Sequence, residues 1–155
     1  VRGGQSVNTV APHAEGEIDL RYVEPAQRDD IVAKIEAIVR TANVPGTRAA
    51  LTIKGEFLPV NPTAASTALF ETYVGAAADA GLKVAGEFSG GCADSGFTAA
   101  VGAPTICGVG PVGGKAHSPE EYLEIDSIAP RTALLAGLIV RAAAAVAELR
   151  RLRAP

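Results

Sequence analysis

Residues 55–62, Gly55-Glu56-Phe57-Leu58-Pro59-Val60-Asn61-Pro62, break the chain's pattern more sharply than any other stretch. Each proline fixes φ and removes a backbone donor, so no regular element is expected to run through them. Before the break the apolar spacing reads strand, helix, strand. After it the order is helix, strand, helix, strand, strand, helix. The change of rhythm predicts an α/β chain with a boundary near residue 60.

In the first segment, residues 14–23 alternate Glu15, Glu17, Asp19, Arg21 against Gly16, Ile18, Leu20, Tyr22, the period of a half-buried strand. Ile31, Ile35, Ile38, Val39 and Ala42 then recur at helical spacing, with Pro25 suited to the first turn and Arg40 to the last. Pro45-Gly46 marks a turn into a second strand over 49–54. In the second segment, Asn61-Pro62 reads as a helix start and Gly81 as its stop. Strands are expected over 82–88 and 104–109, with a short helix over 94–101 closed by Gly102. A glycine-rich loop at 110–116, an extended piece at 122–125 and a long alanine- and leucine-rich helix capped by Asp126 or Ser127 complete the reading.

With 48% hydrophobic and 20% charged residues, the chain can build a core and is not expected to be disordered. Fourteen Lys plus Arg against 17 Asp plus Glu leave a net charge of −3, so nucleic acid is not an expected partner. The longest apolar run, 133–146, contains Arg141 and reads as a buried helix rather than a membrane span. Cys92 and Cys107 make no C-x-x-C pair and are read as reduced. Met is absent and no basic start with an apolar run opens the chain at Val1, which suggests part of a longer protein.

Gly108-Val109-Gly110-Pro111-Val112-Gly113 matches G-x-G-x-x-G, but the last glycine of that fingerprint must open a helix, and here Gly114, Lys115 and Ala116 continue the loop. A phosphate-binding loop fails too, because Ala116 stands where a hydroxyl is required. His117 ends this loop. Locally it reads either as a surface residue before a capping box, Ser118 and Glu121 having the S-x-x-E spacing, or as a metal ligand or acid/base group. His13 is the only other imidazole, so three zinc ligands do not assemble from histidines. Arg21 is either a solvated strand residue or a fork for a carboxylate.

Three stretches taken together narrow these alternatives. Gly3-Gly4-Gln5-Ser6-Val7-Asn8-Thr9-Val10-Ala11-Pro12 with Asp19-Leu20-Arg21 resembles a G-G-x-x-x-N-x-[VI]-P … D-x-R run. Ser89-Gly90-Gly91-Cys92-Ala93-Asp94-Ser95-Gly96-Phe97 with Pro104-Thr105 resembles S-G-G-[ST]-D-[AG]-x-[FY] … G-x-P-[TV]. Gly110 to Leu123, centred on His117, resembles G-x-x-G-x-x-x-H-x-x-x-E-[YW]. All three resemble the zinc carboxypeptidase and deacylase family of glutamate carboxypeptidase, acetylornithine deacetylase and succinyl-diaminopimelate desuccinylase. Two departures stand out: Ala11 holds the usual proline position, and Cys92-Ala93 replaces a single residue before Asp94.

The resemblance implies that 1–58 is the second half of a ferredoxin-like lid, through which such enzymes dimerise, and 59–155 the carboxyl-terminal part of a zinc-peptidase α/β domain. It implies that His117 ligates one of two zinc ions, cobalt or manganese being alternatives. Arg21 would grip a substrate carboxylate, Asn8 would hydrogen-bond near the scissile carbonyl, Gly90 and Gly91 would line the pocket, and Asp94 would orient a loop as a carboxylate behind the ligands. The substrate would be a small peptide or N-acyl amino acid, and the setting cytoplasmic. The family's H-x-D motif, bridging aspartate, paired glutamates and lid histidine would lie upstream of Val1, so the chain alone is expected to be inactive. A non-catalytic dimerisation module is the competing reading, and an unrelated nucleotide-binding protein the third.

Overall fold

A computed structural model describes residues 1–152, with side chains described through residue 143. Its helices are α1 (Pro25–Arg40), α2 (Ala64–Asp79), α3 (Ser95–Ala100) and α4 (Ile128–Leu152), the last entered through a 3₁₀ turn at Ile125–Ser127. Two short antiparallel pairs join β1 (Arg2–Gly3) to β2 (Ala14–Glu15), and β3 (Gly113–Gly114) to β4 (Tyr122–Leu123). The chain is thus mixed α/β, as the sequence indicates.

Helix ends follow local chemistry closely. In α2 the Thr63 hydroxyl accepts from the Ser66 amide at 3.1 Å, and the Ser66 hydroxyl accepts from the Thr63 amide at 2.8 Å. This reciprocal cap starts the helix two residues after the expected Asn61-Pro62 signal, and Asn61 instead donates to Glu24 at 3.2 Å. The helix stops at Gly81, whose φ of +71° permits the amides of Gly81 and Leu82 to reach the carbonyls of Ala78 and Ala77. Gly102 closes α3 in the same way, its own amide on Ala99 and that of Ala103 on Thr98.

The core lies between α2 and α4. Tyr73, Ala76 and Ala77 from α2 bury themselves against Leu134 and Leu138 from α4, with Leu69, Phe70, Leu82, Val84, Ile106 and Val109 packed around them. The alanines let the two helix backbones approach, and the Tyr73 hydroxyl accepts from Arg131 Nη1 at 2.7 Å, satisfying the one polar atom the tyrosine brings inside. Arg141 pairs with Asp79 at 2.8 Å across the far end of the same interface.

Two expectations are corrected here. The apolar run at 133–146 does not form a helix buried all round: among its described side chains, Leu134 and Leu138 are buried, whereas Leu135, Ile139 and Val140 face outward. Spacing of four places the buried pair on one stripe. Of the strand expected over 14–23 only Ala14–Glu15 pairs, and those expected over 49–54, 82–88 and 104–109 are not formed as ladders. Leu82, Val84 and Ile106 still point toward the core, but among the described residues these segments find no neighbouring strand with which to exchange backbone hydrogen bonds. Periodicity reports which face is buried; it does not supply a pairing partner.

Side chains anchor α1. Arg28 grips Glu56 with two bonds, Nε to Oε1 at 2.6 Å and Nη2 to Oε2 at 3.0 Å, while the Tyr22 hydroxyl donates to Oε1 at 2.7 Å. The hydrogen bonds from Arg28 and then Tyr22 hold the Glu56 carboxyl below its ordinary range, and burial, followed by the hydrogen bond to Glu56, pushes the Tyr22 phenol up. A depressed carboxyl stabilises the fold above its unfolded pKa of about 4.3, and that contribution disappears as pH falls through the folded value. A raised phenol acts at the other end: its contribution is complete below about pH 10 and disappears as pH rises through the folded value. Stability against urea should therefore be level between these limits and fall at both ends. Glu56→Gln should flatten the acid limb, and an acid limb unchanged by Glu56→Gln would show that the network does not form.

Candidate functional site

The extended segment ahead of α1 ends in Asp19-Leu20-Arg21-Tyr22, and its alternation survives in the structure: Leu20 and Tyr22 are half-buried, Asp19 and Arg21 exposed. Two residues apart on one side of the chain, Asp19 and Arg21 meet directly. Arg21 Nη2 donates to Asp19 Oδ2 at 2.8 Å and Nε to the same oxygen at 3.2 Å. These bonds, and the opposite charges behind them, hold the Asp19 carboxyl down and the Arg21 guanidinium up. Arg21 Nη1 reaches across 69 residues of sequence to the Gly90 carbonyl at 2.9 Å.

That bond brings together two of the residues singled out in the sequence. It also changes what Gly90 contributes. A Cβ there would meet nothing nearer than Arg21 Nη1 at 3.9 Å, so the carbonyl, rather than the missing side chain, makes the contact. Gly91 donates its amide to the Ser89 hydroxyl at 3.1 Å, which folds the Ser89-Gly90-Gly91 loop back on itself.

His117 rides on the loop between β3 and β4. The hairpin needs its glycines: a Cβ on Gly113 would lie 2.6 Å from the Tyr122 carbonyl oxygen, and one on Gly114 2.8 Å from the Tyr122 ring. Between the strands, Lys115 and His117 both adopt left-handed φ, +57° and +65°, unusual for residues with side chains. The Ser118 hydroxyl donates to the Lys115 carbonyl at 2.7 Å, and Glu121 Oε2 accepts from the His117 amide at 3.0 Å. Ser118 and Glu121 therefore cap no helix; the S-x-x-E spacing closes a turn instead. The result is an exposed imidazole at a loop tip beside an open hollow lined by Gly114, Ala116, Glu121 and Tyr122. The Glu121 bond to His117 depends on the left-handed turn, which the H-x-x-x-E spacing alone does not specify.

Asn8 is placed apart from these contacts. Its side-chain oxygen accepts from Ser6 at 2.9 Å, within the loop that links β1 to β2. Asp94 precedes α3 without capping it through its side chain, and its carbonyl accepts from the Phe97 amide at 3.0 Å. The structure thus joins Arg21 to Gly90, and it leaves Asn8, Asp94 and His117 each in its own local hydrogen bonding. Among the described residues, no three His, Cys, Asp or Glu side chains gather at a point where they could hold a metal ion. His117 alone does not make a metal centre, so the residues present do not fit a complete one.

The fold and the loops define a mixed α/β chain that displays a histidine at a hairpin tip and an arginine fixed at a backbone carbonyl. The family within that class is given by the sequence: it matches the family model described as Peptidase family M20/M25/M40 over residues 5–141, and the chain belongs to that family of metal-dependent peptidases. No curated protein and no solved structure matches the chain. Among the described residues no helix is long and apolar enough to cross a membrane.

Proposed function

We propose that the chain supplies the substrate-carboxylate grip and one metal-binding imidazole of a zinc-dependent hydrolase that cleaves peptide or N-acyl amide bonds beside a free carboxylate, in the manner of glutamate carboxypeptidases. What carries the reading is the Arg21 Nη1 bond to the Gly90 carbonyl, which fixes a guanidinium beside the Ser89-Gly90-Gly91 loop while both stay exposed to a ligand. A planar guanidinium recognises a carboxylate by paired, charge-assisted hydrogen bonds. In the same reading Asn8 approaches the scissile carbonyl, Gly90 and Gly91 border the substrate, Asp94 orients the loop ahead of α3, and His117 supplies a nitrogen to one of two zinc ions. The remaining ligands and the general base come from outside these 155 residues, so the chain alone is inactive.

The proposal extends to the division into a lid half over 1–58 and a peptidase part over 59–155, to homodimerisation through the lid, and to a cytoplasmic setting. Support for the division comes from the core, which among the described residues runs from Leu69 to Leu138. A non-catalytic dimerisation module is the second reading. It is favoured by α1, which packs on no other described helix or strand and leaves Ile38 68% exposed.

In a longer protein that contains this chain and hydrolyses an N-acyl glutamate, Arg21→Ala should raise KM by one to two orders of magnitude, the loss expected for a charge-assisted pair of about 1.5–3 kcal/mol. His117→Ala should lower kcat by at least a hundredfold and weaken zinc retention measured by atomic absorption. Unaltered kinetics in both variants would remove these roles and leave the dimerisation module standing.

A further inference from the structure

The Arg21 guanidinium has five N–H groups, and the fold already occupies three. Nε and one hydrogen of Nη2 go to Asp19, and one hydrogen of Nη1 goes to the Gly90 carbonyl. That leaves one N–H on each terminal nitrogen. We infer that Asp19 is a positioning residue: its carboxylate fixes the Arg21 guanidinium against the Gly90 loop, so that the two remaining N–H groups are presented to an incoming substrate carboxylate. This rests on the proposed role of Arg21.

Three observations carry it. The two side chains are 70% and 67% exposed, and an ion pair so exposed adds little to stability, so the consequence of the contact is orientation. The residues are two apart on an extended segment, so the grip is built locally and does not depend on distant packing. The third bond, to Gly90, is made by a nitrogen that Asp19 does not use, and together the two partners hold both ends of the guanidinium plane.

Two effects oppose each other when Asp19 is removed. A negative charge beside the arginine repels a substrate carboxylate, weakly through water, whereas a long side chain already held still binds without being ordered again, worth roughly two- to tenfold in affinity. Asparagine keeps an acceptor oxygen in place and removes the charge; alanine removes both. If positioning dominates, binding should rank Asp19→Asn at or above the wild type and Asp19→Ala below it.

The test is a titration of the ¹⁵N-labelled 155-residue chain with N-acetyl-glutamate, and with its diamide as control, followed at the Arg21 Nε–H and the Gly90 and Gly91 amides. The wild type should bind the carboxylate and not the diamide. Asp19→Ala should weaken binding by roughly two- to tenfold, Asp19→Asn should restore it, and the thermal midpoints of all three should agree. Asp19→Ala binding as tightly as the wild type, with Arg21→Ala binding nothing, overturns the role of Asp19 and keeps that of Arg21. Arg21→Ala binding normally, or no saturable binding by the wild type, overturns both.

Discussion

Gly96→Ala should destabilise the chain by about 3 kcal/mol or more, at the upper end of what an inserted methyl costs in a packed site. A Cβ built on Gly96 falls 1.8 Å from the Leu58 carbonyl oxygen, and 2.7 Å from its carbon, so the obstacle is backbone and cannot swing aside. Gly96 is the buried residue of α3, and Leu58 within the proline-marked break lies directly across it, with the Phe57 and Phe97 rings 5.8 Å apart beside the crossing. Neighbouring Ser95 makes a sharp control. Its hydroxyl is buried without a hydrogen-bond partner among the described residues, so Ser95→Ala should be neutral or stabilising. Urea denaturation of the two variants checks both, and a Gly96→Ala midpoint equal to the wild type would mean that Leu58 does not cross α3.

The second large effect belongs to the α2–α4 seam. Leu134 and Leu138 are 3% and 5% exposed, and truncating either to alanine removes buried methyl groups and leaves a cavity, costing about 2–5 kcal/mol. Their weight is unusual because so few other residues share it: Tyr73, Ala76 and Ala77 complete the buried apolar cluster among the described residues. A domain of this size carries only about 5–15 kcal/mol of net stability, so either truncation should remove a large share of it and lower the thermal midpoint by on the order of ten degrees. Ile139, one position on from Leu138 and 62% exposed, should tolerate alanine within about 0.5 kcal/mol. Thermal melts showing equal losses for Leu138→Ala and Ile139→Ala would contradict the packing described.

What the sequence made legible is what neighbouring residues decide among themselves. Gly81 and Gly102 ended helices as read, because a left-handed residue after a helix is required by the helix's own carbonyls. The start of α2 moved from Asn61 to Thr63 because Thr63 and Ser66 satisfy each other's amides, a reciprocity that a single capping residue lacks. Strands were not legible in this way. Residues 49–54 carry a strand composition, but a ladder needs a second segment, and nothing within six residues specifies where that segment is.

The site divides along the same line. Family resemblance pointed to Arg21, Gly90 and His117, and a single bond then joined the first two. No spacing rule relates residues 69 apart, and the atom that matters on Gly90 is one every residue possesses. The Arg28–Glu56–Tyr22 network is illegible for the same reason, since its members are 28 and 34 residues apart and no local pattern links them. Asp19 stands in the D-x-R run, but the motif by itself assigns it no contact. The clue was its distance of two from Arg21, which on an extended chain means side-by-side placement.

The hairpin that carries His117 is fastened at its base. The Val112 amide donates to the Ser127 hydroxyl at 2.9 Å, that hydroxyl donates to the Glu124 carbonyl at 2.6 Å, and the Glu124 amide returns to the Val112 carbonyl at 2.9 Å. Ser127 is the last residue before α4, and α4 is clamped to α2 through Leu134, Leu138 and the Arg131–Tyr73 bond. The imidazole is therefore at the end of a lever whose fulcrum is a serine hydroxyl and whose long arm is a helix. The base of the histidine hairpin and the start of the helix that closes the core thus share one set of three hydrogen bonds centred on a single hydroxyl.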